Sequence, residues 1–157
     1  MLSPAKITWR KHQKGRLKGE ATRGHELAFG TCGLKAMQPV RLKARQIEAG
    51  RVVMNRFLKR KNQVFVRVFP DLPVTKKPAE VRMGSGKGGV EDYRARVYPG
   101  TIVYEIKADT PEDLTNACEA LRKAGAKMPF TWKIVRADQM AQSIAHTEKL
   151  DKEVVID

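Results

Sequence analysis

Long apolar runs are missing from this chain. No uninterrupted hydrophobic stretch exceeds a few residues, whereas a membrane-spanning helix needs roughly 20 and a secretory signal about 7–15. A soluble, non-exported chain with no membrane partner is therefore expected. Cysteine is nearly absent as well. Cys32 and Cys118 form no CxxC pair, and two isolated thiols in such a chain predict packing residues, with neither a disulfide nor a metal site. Histidine is equally sparse: His12, His25 and His146 are scattered, and none stands at ligand spacing from a cysteine or carboxylate. No catalytic constellation, metal, cofactor or small-molecule substrate is predicted, and an enzyme is not expected.

Acidic residues are the last shortage, and it is uneven. Against 31 Lys and Arg stand 17 Asp and Glu, a net charge of +14. Residues 1–61 hold 16 of the cations with only Glu20, Glu26 and Glu48 opposing them, while residues 136–157 hold three cations and five acids. An excess of this size and sign collects polyanions, nucleic acid before all others. Composition at 157 residues suits one domain with tails.

From Lys6 to Gly24 a glycine recurs every four or five residues among Lys and Arg, with almost no apolar periodicity. Such a segment cannot bury enough surface to fold alone, so its order should depend on a bound RNA. Its glycines suit close backbone approach and interrupt any amphipathic helix of a transit peptide, which is not predicted. Trp9 beside Arg10 and Lys11 offers a stacking face together with charge, a pairing used on RNA.

Leu27, Phe29 and Leu34 around two glycines predict strand, kink, strand over residues 25–37. Ala44, Ile47, Met54, Phe57 and Leu58 lie on helical spacing between Lys43 and Arg60, with Arg45, Arg51, Arg56, Lys59 and Arg60 making a cationic face. Val64–Phe69 predicts a strand, Pro70-Asp71-Leu72-Pro73 a stiff turn, and residues 74–81 an edge-like strand broken by Pro78. Runs 93–98 and 101–107 flank Pro99-Gly100 as in a β-hairpin. Thr110-Pro111-Glu112-Asp113 predicts a helix start, with N-cap, first-turn proline and acids near the positive end of the helix dipole. Leu114, Ala117, Cys118 and Leu121 then share one face. Residues 130–135 predict a last strand, and 137–157 an acidic extension with a short helix. Strands and two helices over one core make an α+β domain.

Gly84-Ser85-Gly86-Lys87-Gly88-Gly89 satisfies G-x-G-x-x-G. A dinucleotide site needs that turn to open a helix, and a phosphate-binding loop needs Ser or Thr after Gly-Lys; here Gly88 fills that place and strand pattern follows. The segment instead predicts a thin cationic loop able to approach a phosphate chain.

The order of motifs resembles one family. Met1-Leu2-Ser3-Pro4, Arg10-Lys11, Lys14-Gly15-Arg16, Arg23-Gly24, Phe29-Gly30, Gly33-Leu34, Arg45-Gln46-Ile47-Glu48-Ala49, Arg67-Val68-Phe69-Pro70-Asp71, Lys77-Pro78-Ala79-Glu80, Arg82-Met83-Gly84-Ser85-Gly86-Lys87-Gly88 and Ala126-Lys127-Met128-Pro129 are similar to the L-sixteen family of bacterial and organellar large-subunit ribosomal proteins. The resemblance implies a single small α/β-hammerhead domain over residues 25–136, with a mixed or antiparallel sheet and two main helices. A basic RNA-binding extension, residues 1–24, and an acidic extension, residues 137–157, would flank it. It further implies binding to large-subunit rRNA near the peptidyl transferase centre, help in organising the aminoacyl-tRNA (A) site, and contact with A-site tRNA, with P-site tRNA as a further candidate. Neighbouring ribosomal proteins would be partners.

Charge and resemblance together assign rRNA contact to Lys6, Trp9, Arg10, Lys11, Lys14, Arg16, Lys18, Arg23, Lys35, Arg41, Arg45, Arg51, Arg56, Lys59 and Arg60. Arg82, Met83, Gly84, Ser85, Gly86, Lys87 and Gly88 would form a tRNA-proximal loop. The location implied is a ribosome, in a bacterial cytoplasm or an organelle matrix, mitochondrion or plastid. Asp92-Tyr93-Arg94-Ala95 departs from the family's usual Tyr-Trp-Val-Ala, and Ala5 stands where Lys is common; Arg94 and Arg96 suggest altered RNA contacts or a changed neighbour. A free nucleic-acid-binding regulator using the same arm is the alternative that the charge pattern leaves open.

Overall fold

The computed structural model describes residues 2–137; the acidic stretch 138–157, with the short helix expected there, lies outside the described residues. In chain order the elements are β1 (Cys32–Ala36), β2 (Val40–Lys43), α1 (Ala44–Phe57), β3 (Val64–Val66), β4 (Leu72–Lys76), β5 (Gly89–Val97), β6 (Ile102–Ile106), α2 (Pro111–Gly125) and β7 (Trp132–Arg136). The α+β class with two helices is as the sequence predicts. All strand pairs are antiparallel, in two sheets: β3-β6-β1-β7 and β2-β5-β4.

Both helices form where the apolar spacing puts them. In α1, Ala44, Ile47 and Met54 are buried, with Leu58 just beyond its end. Gln46 steadies its start, accepting the Lys43 backbone N–H on Oε1 at 3.0 Å. Lys59 and Arg60, at φ 50° and 63°, turn the chain left-handed and end it. In α2 the Thr110 hydroxyl accepts the Asp113 N–H at 3.2 Å, and Pro111 opens the first turn. Ala117, Cys118 and Leu121 are buried. Both cysteines are free; burial first, then the neighbouring Cys118, pushes the Cys32 thiol up to about 12, so it stays protonated and unreactive at neutral pH.

Strand β6 is the middle of the fold. All five of its residues are buried, the acid Glu105 among them. On one side the Tyr104 hydroxyl donates to the Ile47 carbonyl of α1 at 2.8 Å. Gly50 makes that approach possible, since a Cβ there would stand 2.5 Å from the same oxygen. On the other side Glu105 faces the segment 28–30 that precedes β1.

Three local expectations are corrected. The runs about Pro99-Gly100 do not form a hairpin: β5 pairs with β2 and β4, while β6 pairs with β1 and β3. The turn itself closes, Thr101 N–H to Tyr98 oxygen at 3.1 Å, but Gly100 N–H goes to Ala36 and Ala36 N–H to Thr101. Strand β1 thus captures the chain and carries it into the other sheet. A strand buried on both faces needs a neighbour on each edge, and β1 and β3 supply them.

Residues 25–37 are not strand, kink, strand; only β1 forms. The amides of Ala28, Phe29 and Gly30, which a strand would pair with another strand, are taken by the Glu105 carboxylate. Finally, Leu72 and Pro73 belong to β4 and not to a turn, and the strand ends at Lys76. Proline is accommodated because β4 is an edge, with β5 as its one neighbour.

Glu105 makes a buried ion pair with Arg67. Replacing it with Ala removes the acceptor of three amides and leaves Arg67 unpaired. Glu105→Ala is expected to lower unfolding free energy by roughly 3 kcal/mol, measured by urea denaturation; a decrease below about 1 kcal/mol contradicts this account.

A candidate nucleic-acid interface

The arm from Lys6 to Gly24 carries no helix or strand. Three of its corners are turned by Gly15, Gly19 and Gly24 at φ 64°, 84° and 69°. A Cβ at any of the three would meet nothing within 4 Å, so glycine is required here by backbone angle and not by crowding. The body sets the arm's path. Arg41 of β2 donates to the Lys14 and Gly15 carbonyls at 3.2 and 2.7 Å. Further on, Ala21 N–H reaches the Pro99 oxygen and Ile102 N–H reaches the Gly24 oxygen, both at 2.9 Å.

Between β4 and β5 lies the glycine loop, turned by Gly84, Ser85 and Gly86 at φ 99°, 53° and 79°. Strand β5 begins at Gly89, so no helix N-terminus is available to hold a pyrophosphate. Met83 is 95% exposed at the loop's surface. Lys77 of the same loop donates to the Gly84 carbonyl.

Arm and loop meet. The Lys11 ammonium donates to the Lys87 carbonyl at 2.6 Å, and the Lys87 ammonium donates to the His12 carbonyl at 2.5 Å. His12 turns its own Nε2 to the Trp9 carbonyl at 3.1 Å. Two segments 76 residues apart therefore make one cationic surface, which no spacing in the sequence shows. The acceptors are neutral carbonyls, so both positive charges remain available to a polyanion.

The predicted residues divide by what they touch. Lys6, Trp9, Arg10, Lys11, Lys14, Arg16, Lys18 and Arg23 are exposed, as are Arg45, Arg56, Lys59 and Arg60 of the α1 region. Lys35 and Arg41 are half-buried. Arg51 is paired with Glu48 across one helical turn, Nη2 to Oε1 at 2.6 Å, and that hydrogen bond holds the Glu48 carboxyl below its usual range. The structure does not gather the α1 cations to one point: 14 residues at about 1.5 Å each put Arg45 roughly 20 Å from Lys59 and Arg60.

Two cations of β5 stand beside acids. Arg94 lies 4.0 Å from Asp92, and Arg96 lies 3.4 Å from Asp71.

A family model described as ribosomal protein L16p/L10e matches residues 4–135, a span holding arm, α1 and glycine loop together. The chain is 51% identical over 144 residues to the large ribosomal subunit protein uL16 of Parabacteroides distasonis, covering 91% of this chain and 98% of that protein. Identity is again 51% to the proteins of the same name from Sulfurihydrogenibium sp., over 87% of this chain and 97% of the relative, and from Thermus thermophilus, over 88% and 96%.

Breaking the link between arm and loop should loosen the arm without unfolding the body. Lys87→Ala is expected to raise the rate of tryptic cleavage at Arg10, Lys11 and Lys14 several-fold, with the melting temperature unchanged. Equal cleavage rates in variant and parent would show that the loop does not hold the arm.

Proposed function

The chain belongs to the ribosomal protein L16p/L10e family, and from that premise we propose that it binds large-subunit rRNA through its arm and α1 while its glycine loop faces tRNA at the aminoacyl site. It is a ribosomal protein and not an enzyme. Its place is the ribosome, and a bacterial cytoplasm is the setting favoured by the relatives named above.

The observation that carries the reading is the joined surface of Lys11, His12 and Lys87. Along the arm, exposed cations follow a path fixed by the body, and at the loop the path ends on glycines and a bare Met83. A placed cationic strand can lie along an RNA backbone, with each Lys or Arg displacing counterions from a phosphate. Glycine at the tip leaves the backbone amides open to a second nucleic acid. Among the described residues the one buried acid, Glu105, is committed to Arg67 and three amides.

Sedimentation tests the proposal. Tagged wild-type chain should travel with large subunits, and Lys14→Glu with Arg16→Glu should shift most of it to the top of the gradient. In filter binding to rRNA, removing one cation that neutralises a phosphate should lower the salt slope by about one unit. Wild-type chain that stays at the top, or that binds duplex DNA as strongly as rRNA at physiological salt, would instead mark a free nucleic-acid-binding regulator.

The loop is tested apart from assembly. Lys87→Ala should still enter subunits but slow tRNA accommodation several-fold in pre-steady-state kinetics, and an unchanged rate removes the loop from tRNA.

A further inference from the structure

We infer that the cleft between arm and body seats one unpaired RNA nucleotide; this rests on RNA being the partner, as proposed above. The cleft has a volume of about 800 Å³ and opens where arm residues 18–24 pass over the seam between the two sheets. That volume lies within the roughly 300–1,000 Å³ of sites that take small organic groups. Its roof is held by the two backbone bonds already described, Ala21 to Pro99 and Ile102 to Gly24.

Two kinds of group line it. Lys18 and Arg23 are exposed and have no carboxylate partner among the described residues. Arg96 shares Asp71 in a surface pair at 3.4 Å, an interaction weak enough for a phosphate to compete with. Glu20 and Asp71 also reach the cleft, and they keep its charge from being uniformly positive. Phe69, half exposed, and Tyr98 supply the other kind of group. The Phe69 ring is stacked on no other ring among the described residues, unlike Phe29, which lies 5.4 Å from Phe65.

Free cations beside a bare aromatic face match the two parts of a nucleotide, phosphate and base. An acidic peptide would use the cations and leave Phe69 in water. A duplex keeps its bases stacked and has no base to insert. The favoured occupant is therefore a nucleotide out of its helix, its base on Phe69 and its phosphate toward Lys18 and Arg23.

The test titrates the full chain with a labelled ten-nucleotide oligouridylate and with a blunt RNA duplex. Phe69→Ala is expected to weaken oligouridylate binding about tenfold while leaving duplex binding and the thermal melt as in the parent, and Phe69→Trp should restore the single-strand affinity. Equal binding by parent and Phe69→Ala overturns the proposal, as does an equal weakening on both RNAs. Polyglutamate bound by the parent while the oligouridylate is not bound also overturns it, marking the cleft as a peptide site. Sedimentation of Phe69→Ala with large subunits reports separately on the ribosomal reading, so the two can fail independently.

Discussion

Glu105 lies on the central strand with no solvent exposure, and its carboxylate accepts the Phe29 and Gly30 amides at 2.7 and 2.9 Å and the Ala28 amide at 3.3 Å. A charge so placed is costly unless hydrogen bonds and an opposite charge replace its water. Arg67 provides the charge and extends the network. Its guanidinium also donates to the Glu26 carbonyl at 3.3 Å and lies 5.2 Å over the Phe29 ring, which stacks on Phe65. Residues 26–30 are thereby fastened to the middle of the four-stranded sheet, and the chain must leave that point in a fixed direction. The arm's root is set by one acid from a strand 75 residues later.

Upstream of that root Leu2 packs against the core, and hydrogen bonds spaced along the arm guide the course between. Arg41 holds residues 14–15, Pro99 holds Ala21, and Lys87 exchanges hydrogen bonds with residues 11–12. This changes what the arm's cations are for. Arg41, Lys11 and Lys87 have a structural use in the free protein, and Lys11 and Lys87, like Lys14 and Arg16, still keep their charge exposed. An arm with its backbone already guided would lose less conformational entropy on meeting a polyanion than a free tail would.

Local signals were readable before the fold. Thr110-Pro111 with following acids marks α2 because capping is an interaction between neighbours, and the apolar spacing of Ala44, Ile47 and Met54 marks α1 for the same reason. The class of partner was readable from sixteen cations in the first 61 residues. What could not be read are the competitions between distant groups. Pro99-Gly100 is a sound turn, yet β1 takes the hydrogen bonds that a hairpin would use. Leu27 and Phe29 suit a strand, yet Glu105 takes the amides. Glu105 itself could not be read as the anchor, since a buried acid gives no periodic signal. The site divides in the same way: its cations were evident one by one, and their grouping, Lys11 with Lys87 or Arg96 with Asp71, follows only from the topology.

The spread of those cations constrains the ligand. Arg45 lies at the start of α1 and Arg60 just past its end, roughly 20 Å apart, and the arm and loop present further charge elsewhere. A compact anion could meet only one of these places. A polymer with a negative charge at every repeat can meet all of them, releasing counterions at each. The acids, meanwhile, stand where cations would otherwise repel within the fold: Asp92 by Arg94, Asp71 by Arg96, Glu48 by Arg51. The arm has so few of them that its charge stays uncompensated within the fold. That imbalance is what makes a long polyanion, and not a small one, its fitting partner.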